Sequence, residues 1–212
     1  MRIRLVLSAL VLLSLACKTL PFNLGQPAPG KVLFQDNFTD SNSGWNRVTE
    51  ANGETNYADG VYRILVNVPD MDIWARPNLN FNDVRIEVDS LKVGGDRNNR
   101  YGVICRLSNG NNFYAFMISS DGYYGIGKVK GDSYQLIGMD ALQPSEAINQ
   151  GSVANHIRAD CAKDRLALYV NGKKLAEVQD TEFASGDVGL IAGTYTTAGT
   201  DIRFSNFRVL QP

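Results

Sequence analysis

The sequence is poor in the residues on which most catalytic and metal sites depend. Its 212 residues include three cysteines and a single histidine, His156. A closed zinc site needs four nitrogen or sulfur ligands, which one histidine and the two cysteines of the main domain cannot supply. No serine lies in a nucleophile-elbow motif, and no glycine loop of the Rossmann or P-loop type occurs. These absences argue against a zinc enzyme, a serine hydrolase and a nucleotide-binding protein.

An excess of charge of one sign is also missing, since 21 basic residues stand against 22 acidic ones. Removal of residues 1–16 would take away Arg2 and Arg4 and no acid, which leaves a net charge of about −3. Nucleic-acid binding normally requires a basic stripe. The sequence therefore predicts no nucleic-acid partner.

Long apolar runs are absent except at the start, where residues 5–15 are apolar apart from two serines. This run is shorter than the ~20 residues of a membrane span, and it follows Arg2 and Arg4 as the apolar region of a secretory signal does. Cys17 comes directly after Ala16, as in a lipoprotein signal. We predict a signal peptide over residues 1–16 and a lipid on Cys17.

A lipidated Cys17 would anchor an exported protein to the membrane at the cell envelope or outer surface, because acyl chains bury many methylene groups. The alternative is an ordinary signal peptidase site, which the small residues Ser14 and Ala16 also suit, with free secretion. Residues 17–30 contain three prolines and two glycines, which is typical of a flexible tether. One folded domain is then expected over residues 31–212.

The domain is predicted to be all-β, because its short runs of β-branched and aromatic residues are separated by turn residues. In residues 84–89, Val84, Ile86 and Val88 alternate with charged residues, as in a strand with one buried face. Asn171-Gly172 is a strong hairpin signal. The predicted strands are Val32–Phe38, Val61–Val68, Ile73–Arg76, Val84–Leu91, Tyr101–Leu107, Phe113–Ser119, Tyr123–Lys130, Tyr134–Ile137, His156–Ala162, Leu166–Val170, Lys173–Gln179, Val188–Thr194 and Ile202–Val209.

Cys105 and Cys161 lie in two of these strands, each on the apolar side. An exported protein with two cysteines besides its lipid site is expected to form one disulfide. We predict a Cys105–Cys161 bridge between neighbouring strands, with a pair of buried reduced cysteines as the alternative.

Several segments of the domain resemble the concanavalin A-like lectin/glucanase superfamily, in the form of laminin-G-like and 3-keto-disaccharide-hydrolase-like domains. The segments are Phe34-Gln35-Asp36-Asn37-Phe38, Gly44-Trp45, Tyr101-Gly102-Val103-Ile104-Cys105-Arg106, Asp121-Gly122-Tyr123-Tyr124, Asn155-His156-Ile157-Arg158-Ala159-Asp160-Cys161, Leu168-Tyr169-Val170-Asn171-Gly172, Gly186-Asp187-Val188-Gly189-Leu190 and Arg203-Phe204-Ser205-Asn206-Phe207. The resemblance implies an antiparallel jelly-roll sandwich of two curved sheets, with ligands on the concave face or at the rim loops. It also implies a possible Ca²⁺ site between an early loop and the last strand, where Asp36 and Asp201 are the candidate ligands.

Glucanases of this superfamily carry three acids on one strand, and Glu87-Val88-Asp89-Ser90-Leu91-Lys92 resembles that pattern. The third acid is replaced here by Lys92. Glycosidases require a pair of carboxyl groups that flank the scissile bond. We therefore favour a domain that is not an enzyme, and we predict Glu87 and Asp89 to be ordinary residues of a solvent-facing surface.

Carbohydrate binding without catalysis is the favoured function, because it requires aromatic platforms and planar polar groups. The candidates are Trp74, Arg76, Arg106, Tyr114, Phe116, Tyr123, Tyr124, His156 and Arg158. Trp45 is expected to fill the core instead. The bound partner could also be another extracellular polymer. Two alternatives are a glycoside hydrolase-type enzyme of the same superfamily and a laminin-G-like protein-interaction or structural module.

Overall fold

A computed structural model describes residues 30–131 and 133–212. The predicted signal peptide, the lipid on Cys17 and nearly all of the tether lie outside the described residues. This part of the chain contains sixteen strands: β1 (Val32–Asp36), β2 (Val48–Glu50), β3 (Gly53–Ala58), β4 (Val61–Val66), β5 (Asp72–Ala75), β6 (Val84–Gly94), β7 (Asn99–Ser108), β8 (Asn112–Ile118), β9 (Tyr123–Lys130), β10 (Ser133–Leu136), β11 (Gln143–Pro144), β12 (Asn155–Ala162), β13 (Arg165–Val170), β14 (Lys173–Gln179), β15 (Asp187–Thr194) and β16 (Thr200–Leu210). In the described ranges, no helix is long and apolar enough to cross a membrane.

The strands form two antiparallel sheets packed as a sandwich, which confirms the predicted jelly-roll class. The nine-stranded sheet has the order β14-β13-β12-β6-β16-β4-β3-β2, with β1 also paired to β16. The seven-stranded sheet has the order β10-β9-β8-β7-β15-β5, with β11 also paired to β9. Many neighbours in each sheet are distant in sequence, so each end of the sandwich gathers loops from distant parts of the chain.

Alternation places the core between the sheets, as strand β6 shows. Val84, Ile86 and Val88 are buried at 1% exposure or less, whereas the charged residues between them are half-buried on the outer face. Apolar residues of β7, β8 and β15 in the seven-stranded sheet pack against them. Burying an aliphatic side chain of this size stabilises the fold by roughly 1.5–3 kcal/mol, so this alternation fixes which face of the strand turns inward.

An aromatic cluster fills the core near strand β1, and it includes Trp45, which is 4% exposed as expected. The Trp45 ring lies 5.3 Å from that of Phe38 and 4.9 Å from that of Phe207, both edge to face. Its Nε1 donates a hydrogen bond of 3.0 Å to Asp36 Oδ2. Asp36 therefore satisfies the one polar group of an otherwise apolar side chain.

The Cys105–Cys161 disulfide is present, with 6.8 Å between the two Cα atoms. Its predicted position between neighbouring strands is wrong, however. Cys105 lies on β7 of the seven-stranded sheet and Cys161 on β12 of the nine-stranded sheet. Both side chains point into the core, so the bridge links the two sheets across the interior.

Three strands were absent from the prediction because their residues show no apolar alternation. The edge strand β2 is exposed along its whole length, and β3 has the mostly polar sequence GETNYA. Strand β11 is two residues long and contains Pro144. Strand β3 pairs with β4 and buries Thr55, whereas β11, exposed at both residues, is joined to β9 by backbone pairing.

Candidate functional site

The outer face of the seven-stranded sheet is curved and carries a second apolar cluster. Trp74 on β5 and Phe113 on β8 meet there with ring centroids 5.3 Å apart, although two strands lie between them. In a flat sheet, strands three places apart would be separated by ~14 Å. The sheet therefore bends toward this face, and the remaining members of the cluster, buried at 4% or less, are Ile104, Leu107, Ala115, Met117 and Ile191.

A pocket opens at one end of this concave face, beyond the apolar cluster. Its volume is about 510 Å³, within the range of small-molecule sites. The lining residues are Asn98, Ser119, Asp121, Tyr123, Ala141, Leu142 and Tyr195. Two tyrosine rings thus combine with an amide, a hydroxyl and a carboxylate, which are the groups expected of a sugar site.

The β8–β9 turn supplies Ser119, Asp121 and Tyr123, and its own hydrogen bonds fix their positions. Ser119 Oγ donates to Asp121 Oδ1 and accepts the Tyr123 amide at 3.0 Å. Gly122 has a φ of 98°, and a Cβ atom there would lie 2.7 Å from the Gln150 side-chain amide. Glycine therefore allows both the backbone conformation and the contact with Gln150.

Asn99, fully buried at the start of β7, joins this turn to the β6–β7 loop that carries Asn98. Its Oδ1 accepts the Ser120 amide at 3.0 Å, and its Nδ2 donates to Asp96 O at 2.8 Å and to Ser120 Oγ at 3.1 Å. One side chain therefore holds two walls of the pocket at a fixed separation.

Tyr195 forms the opposite wall and is supported from behind by Arg100. The Arg100 guanidinium lies 4.4 Å from the centre of the Tyr195 ring, in a cation–π arrangement. Arg100 Nε also donates to Asp72 Oδ1 at 2.5 Å. Burial raises the pKa of the Asp72 carboxyl, and the bond from Arg100 opposes that rise. The ion pair between Arg100 and Asp72 therefore fixes the position of the Tyr195 ring.

The predicted binding residues are scattered, and only Tyr123 among them lines this pocket. Tyr124 packs half-buried against the main core, and Trp74 belongs to the second apolar cluster. Arg76 lies in a separate hollow of about 420 Å³ at the other end of the sheet, beside Asn78 and Asp187.

Arg106, Tyr114 and Phe116 lie in the interior at 2% exposure or less, contrary to the prediction for them. Arg106 is 2% exposed and donates to Asn82 O, Phe183 O and Asp83 Oδ1. It sits in a β-bulge with a φ of 54°, which turns its side chain inward. Tyr114 and Phe116 are fully buried on the core side of β8, where the Tyr114 hydroxyl donates to Asp180 Oδ1 at 2.6 Å. Burial raises the pKa of Tyr114 to about 12.

His156 and Arg158 face solvent as predicted, but on the outer face of the nine-stranded sheet, away from the pocket. His156 Nδ1 lies 2.7 Å from Asp89 Oδ1. Arg158 covers the Tyr169 ring at 4.3 Å and binds Asp160 through two nitrogens, at 2.9 and 2.5 Å. Burial opposes ionisation of the Asp160 carboxyl, but hydrogen bonds from Arg158 and Arg85 outweigh it and lower the pKa.

The acidic strand segment lies on the opposite sheet from the pocket. Glu87 and Asp89 lie on that same outer face, where Glu87 is 3.7 Å from Arg208 and Asp89 accepts from Asn206 Nδ2 at 2.7 Å. Lys92 points inward and donates to Gly95 O at 2.8 Å. The seven-stranded sheet and its pocket are on the other side of the molecule.

The two calcium candidates are not brought together. Asp36 pairs in register with Phe207 near the end of β16, whereas Asp201 lies at the start of that strand. The Asp36 carboxylate accepts from Phe38, Ser43 and Trp45, and Asp201 binds Arg63 with both oxygens. Within residues 30–131 and 133–212, no group of three or more His, Cys, Asp or Glu side chains could hold a metal ion.

Sequence reasoning missed Asn98, Ser119, Asp121 and Tyr195. Asp121 is part of an Asp-Gly turn beside Tyr123, so the polar turn next to a candidate aromatic was a usable signal. Tyr195 and Asn98 had no such signal, because they come from loops that meet only when β7 and β15 pair.

No protein-family model matches the chain, and no curated protein matches it in sequence. Solved structures do match it. The carbohydrate-binding module CBM66 from Bacillus subtilis is 16% identical with a TM-score of 0.56, over 79% of this chain and 96% of that one. A Bacillus subtilis protein of unknown function with a galectin-like fold is 12% identical with a TM-score of 0.63, over 87% and 97%.

The catalytic domain of an endo-1,3-β-glucanase (laminarinase) from Thermotoga petrophila is 11% identical, with a TM-score of 0.59, over 86% of this chain and 98% of that one. At these identities the similarity concerns the fold. Binding modules, galectin-like proteins and glucanases share the same two-sheet sandwich. The chain therefore has the concanavalin A-like lectin/glucanase fold that its sequence motifs resemble.

Proposed function

We propose that this protein binds carbohydrate without cleaving it, in the pocket between Tyr123 and Tyr195. The observation that carries the proposal is the pairing of these two rings with the polar side chains of Asn98, Ser119 and Asp121. Pyranose rings stack on aromatic faces, and their hydroxyl groups need planar acceptors and donors. The fold shared with a carbohydrate-binding module supports this assignment.

The number of carboxyl groups in the pocket supports binding rather than hydrolysis. A glycosidase needs two carboxyl groups across the scissile bond, ~5 Å apart in the retaining enzymes. Of the seven lining residues, Asp121 alone carries a carboxyl group. It can accept hydroxyl hydrogen bonds, but it has no partner acid there.

The charge of the pocket favours neutral sugars. Asp121 is the one lining residue that carries a charge at neutral pH, and the nearby Arg100 is already bound to Asp72. An anionic glycan would bring its charge close to an uncompensated carboxylate, which is unfavourable. The ligand is therefore a neutral glycan, and uronic acids and sulfated sugars are disfavoured.

A glycan array probed with the purified protein tests this function, and alanine variants test the site. Tyr123→Ala and Tyr195→Ala should each weaken binding to the array's best neutral ligand by roughly tenfold or more, ~1.4 kcal/mol, because each removes one platform. Affinity is measured by titration calorimetry, and folding by the urea midpoint.

Tyr169→Ala is the matched control for Tyr195→Ala. Tyr169 also lies under a stacked arginine, Arg158, at 4.3 Å, but on the outer face of the nine-stranded sheet. The Tyr169→Ala variant should leave the affinity for the glycan unchanged. Equal losses in Tyr169→Ala and Tyr195→Ala, or binding only to anionic glycans, would contradict the proposed site.

We also propose that Cys17 anchors the protein to a membrane at the cell envelope. The support is the order of charged residues, apolar run and cysteine in residues 1–17. Expressed with its signal in a bacterial host, the protein should sediment with membranes and label with a fatty-acid probe. Cys17→Ala should abolish the labelling, and a labelled Cys17→Ala protein would refute the anchor.

A further inference from the structure

The concave face beyond the pocket is obstructed, and this bears on what kind of glycan fits. An internal segment of a polysaccharide must leave its site in two directions, so it needs a cleft that is open at both ends. The floor of the concave face would provide one, because small residues recur on β9 and β15 at Gly125, Gly127 and Gly193. The floor forms an open cleft only if no side chains cover those glycines.

Side chains of the protein itself occupy the space over all three. A Cβ atom on Gly193 would lie 1.9 Å from Asp72 Oδ1 and 3.0 Å from Arg100 Nε. A Cβ atom on Gly127 would lie 2.6 Å from the Tyr134 ring, and one on Gly125 would lie 2.6 Å from the end of Leu142. The glycines therefore make room for neighbouring side chains and leave no open channel.

Tyr134 and the Arg100–Asp72 ion pair form a barrier from opposite edges of the sheet. Tyr134 comes from β10 and Asp72 from β5, the two edge strands of the sheet's main path. Tyr134 is 44% exposed as a whole, and its ring and hydroxyl lie over Gly127, where a Cβ atom would meet them at 2.6 Å. We call Tyr134, Arg100 and Asp72 the barrier.

The Trp74–Phe113 cluster fills the outer face on the far side of the barrier. The pocket is thus bounded inward by the barrier and opens outward at the end of the sandwich, among the loops that carry Asn98, Asp121 and Tyr195. A chain that entered between the tyrosines could not continue along the sheet.

We infer that the pocket receives the end of a glycan chain and excludes internal segments, so that each unbranched polysaccharide molecule offers one site at a given type of terminus. This inference rests on the proposed function and specifies the part of the ligand that is recognised. The volume of about 510 Å³ suits one or a few sugar units rather than an extended chain.

The experiment uses ladders of neutral oligosaccharides, from the monosaccharide upward, of β-1,3-glucan, β-1,4-glucan and β-1,4-xylan, together with the parent polymers. Calorimetry gives the Kd per mole of chain and the number of protein molecules bound per chain. We expect a Kd that stops improving after the first few units and a stoichiometry that stays constant as the polymer grows. Affinity that rises steadily with length, or many proteins bound per polymer chain, would overturn the inference while leaving carbohydrate binding intact.

Tyr134→Ala and Tyr134→Phe form a matched pair, since only the first removes the barrier ring. Tyr134→Phe should keep the wild-type length dependence, whereas Tyr134→Ala should let affinity improve with chain length. A tenfold loss of monosaccharide affinity in both variants would instead make Tyr134 a ligand contact and contradict its role as a barrier. Absence of binding to every ladder would contradict the proposed function itself.

Discussion

Replacing Cys105 and Cys161 together with alanine is expected to lower the free energy of unfolding by about 4 kcal/mol. The bridge spans a sequence separation of 56 residues and links the two sheets, so its loss frees a long loop in the unfolded chain. Both cysteines are fully buried, and removal of their sulfur atoms also weakens core packing. Urea unfolding followed by tryptophan fluorescence measures the change.

Reduction of the wild-type protein is the control, because it opens the same loop without changing core volume. The unfolding midpoint of the wild type should fall in a thiol reductant, and that of the alanine variant should not respond. A wild-type midpoint that is insensitive to reductant under denaturing conditions would show that the bridge contributes little to stability.

Trp45→Ala is expected to cost ~3–5 kcal/mol, the usual range for truncating a large buried aromatic. The side chain is 4% exposed and contacts the Phe38, Tyr62 and Phe207 rings at centroid distances of 4.9–5.3 Å. Its removal also takes away the Nε1 donor to the buried Asp36 carboxylate. The urea midpoint should fall accordingly.

The Trp45→Phe variant separates the contribution of ring packing from that of the hydrogen bond to Asp36. It keeps an aromatic ring in the cluster and removes the hydrogen bond to Asp36, so about 1–3 kcal/mol should be lost. Trp74→Ala is the second comparison, because Trp74 is partly exposed on the outer face of the seven-stranded sheet. A loss in Trp74→Ala as large as in Trp45→Ala would contradict the assignment of Trp45 to the main core.

The fold was predictable because its central strands alternate. Strand β6 shows why, since Val84, Ile86 and Val88 can all be buried only if the segment is extended with one face inward. Strands β2 and β3 were not predictable on this basis, because β2 is exposed along its whole length and β3 is mostly polar, so neither shows an apolar period. The disulfide partners were predictable, but their placement on opposite sheets depended on strand order.

The candidate site was less predictable than the fold. Tyr123 stood out as an aromatic beside a polar turn, and it lines the pocket. Arg106 looked equally suitable, but a bulge that no local sequence signal marks turns it into the interior. Tyr195 and Asn98 meet Tyr123 only through the pairing of β15 with β7 and of β7 with β8, so their shared role is a property of topology.

Strand β16 runs from the pocket end of the sandwich to the end where the two termini of the folded domain meet. Gly30 donates to Gln211 O and Gln211 donates to Lys31 O, so the start and the end of the folded domain lie together beyond the last residue of β16. Tyr195 precedes the first residue of this strand, and 11 residues of strand extend over roughly 35 Å. A domain fused, immobilised on a sensor surface or held to a bilayer through residues before Gly30 would therefore present its tyrosine-lined pocket at the opposite end of β16 from the attachment.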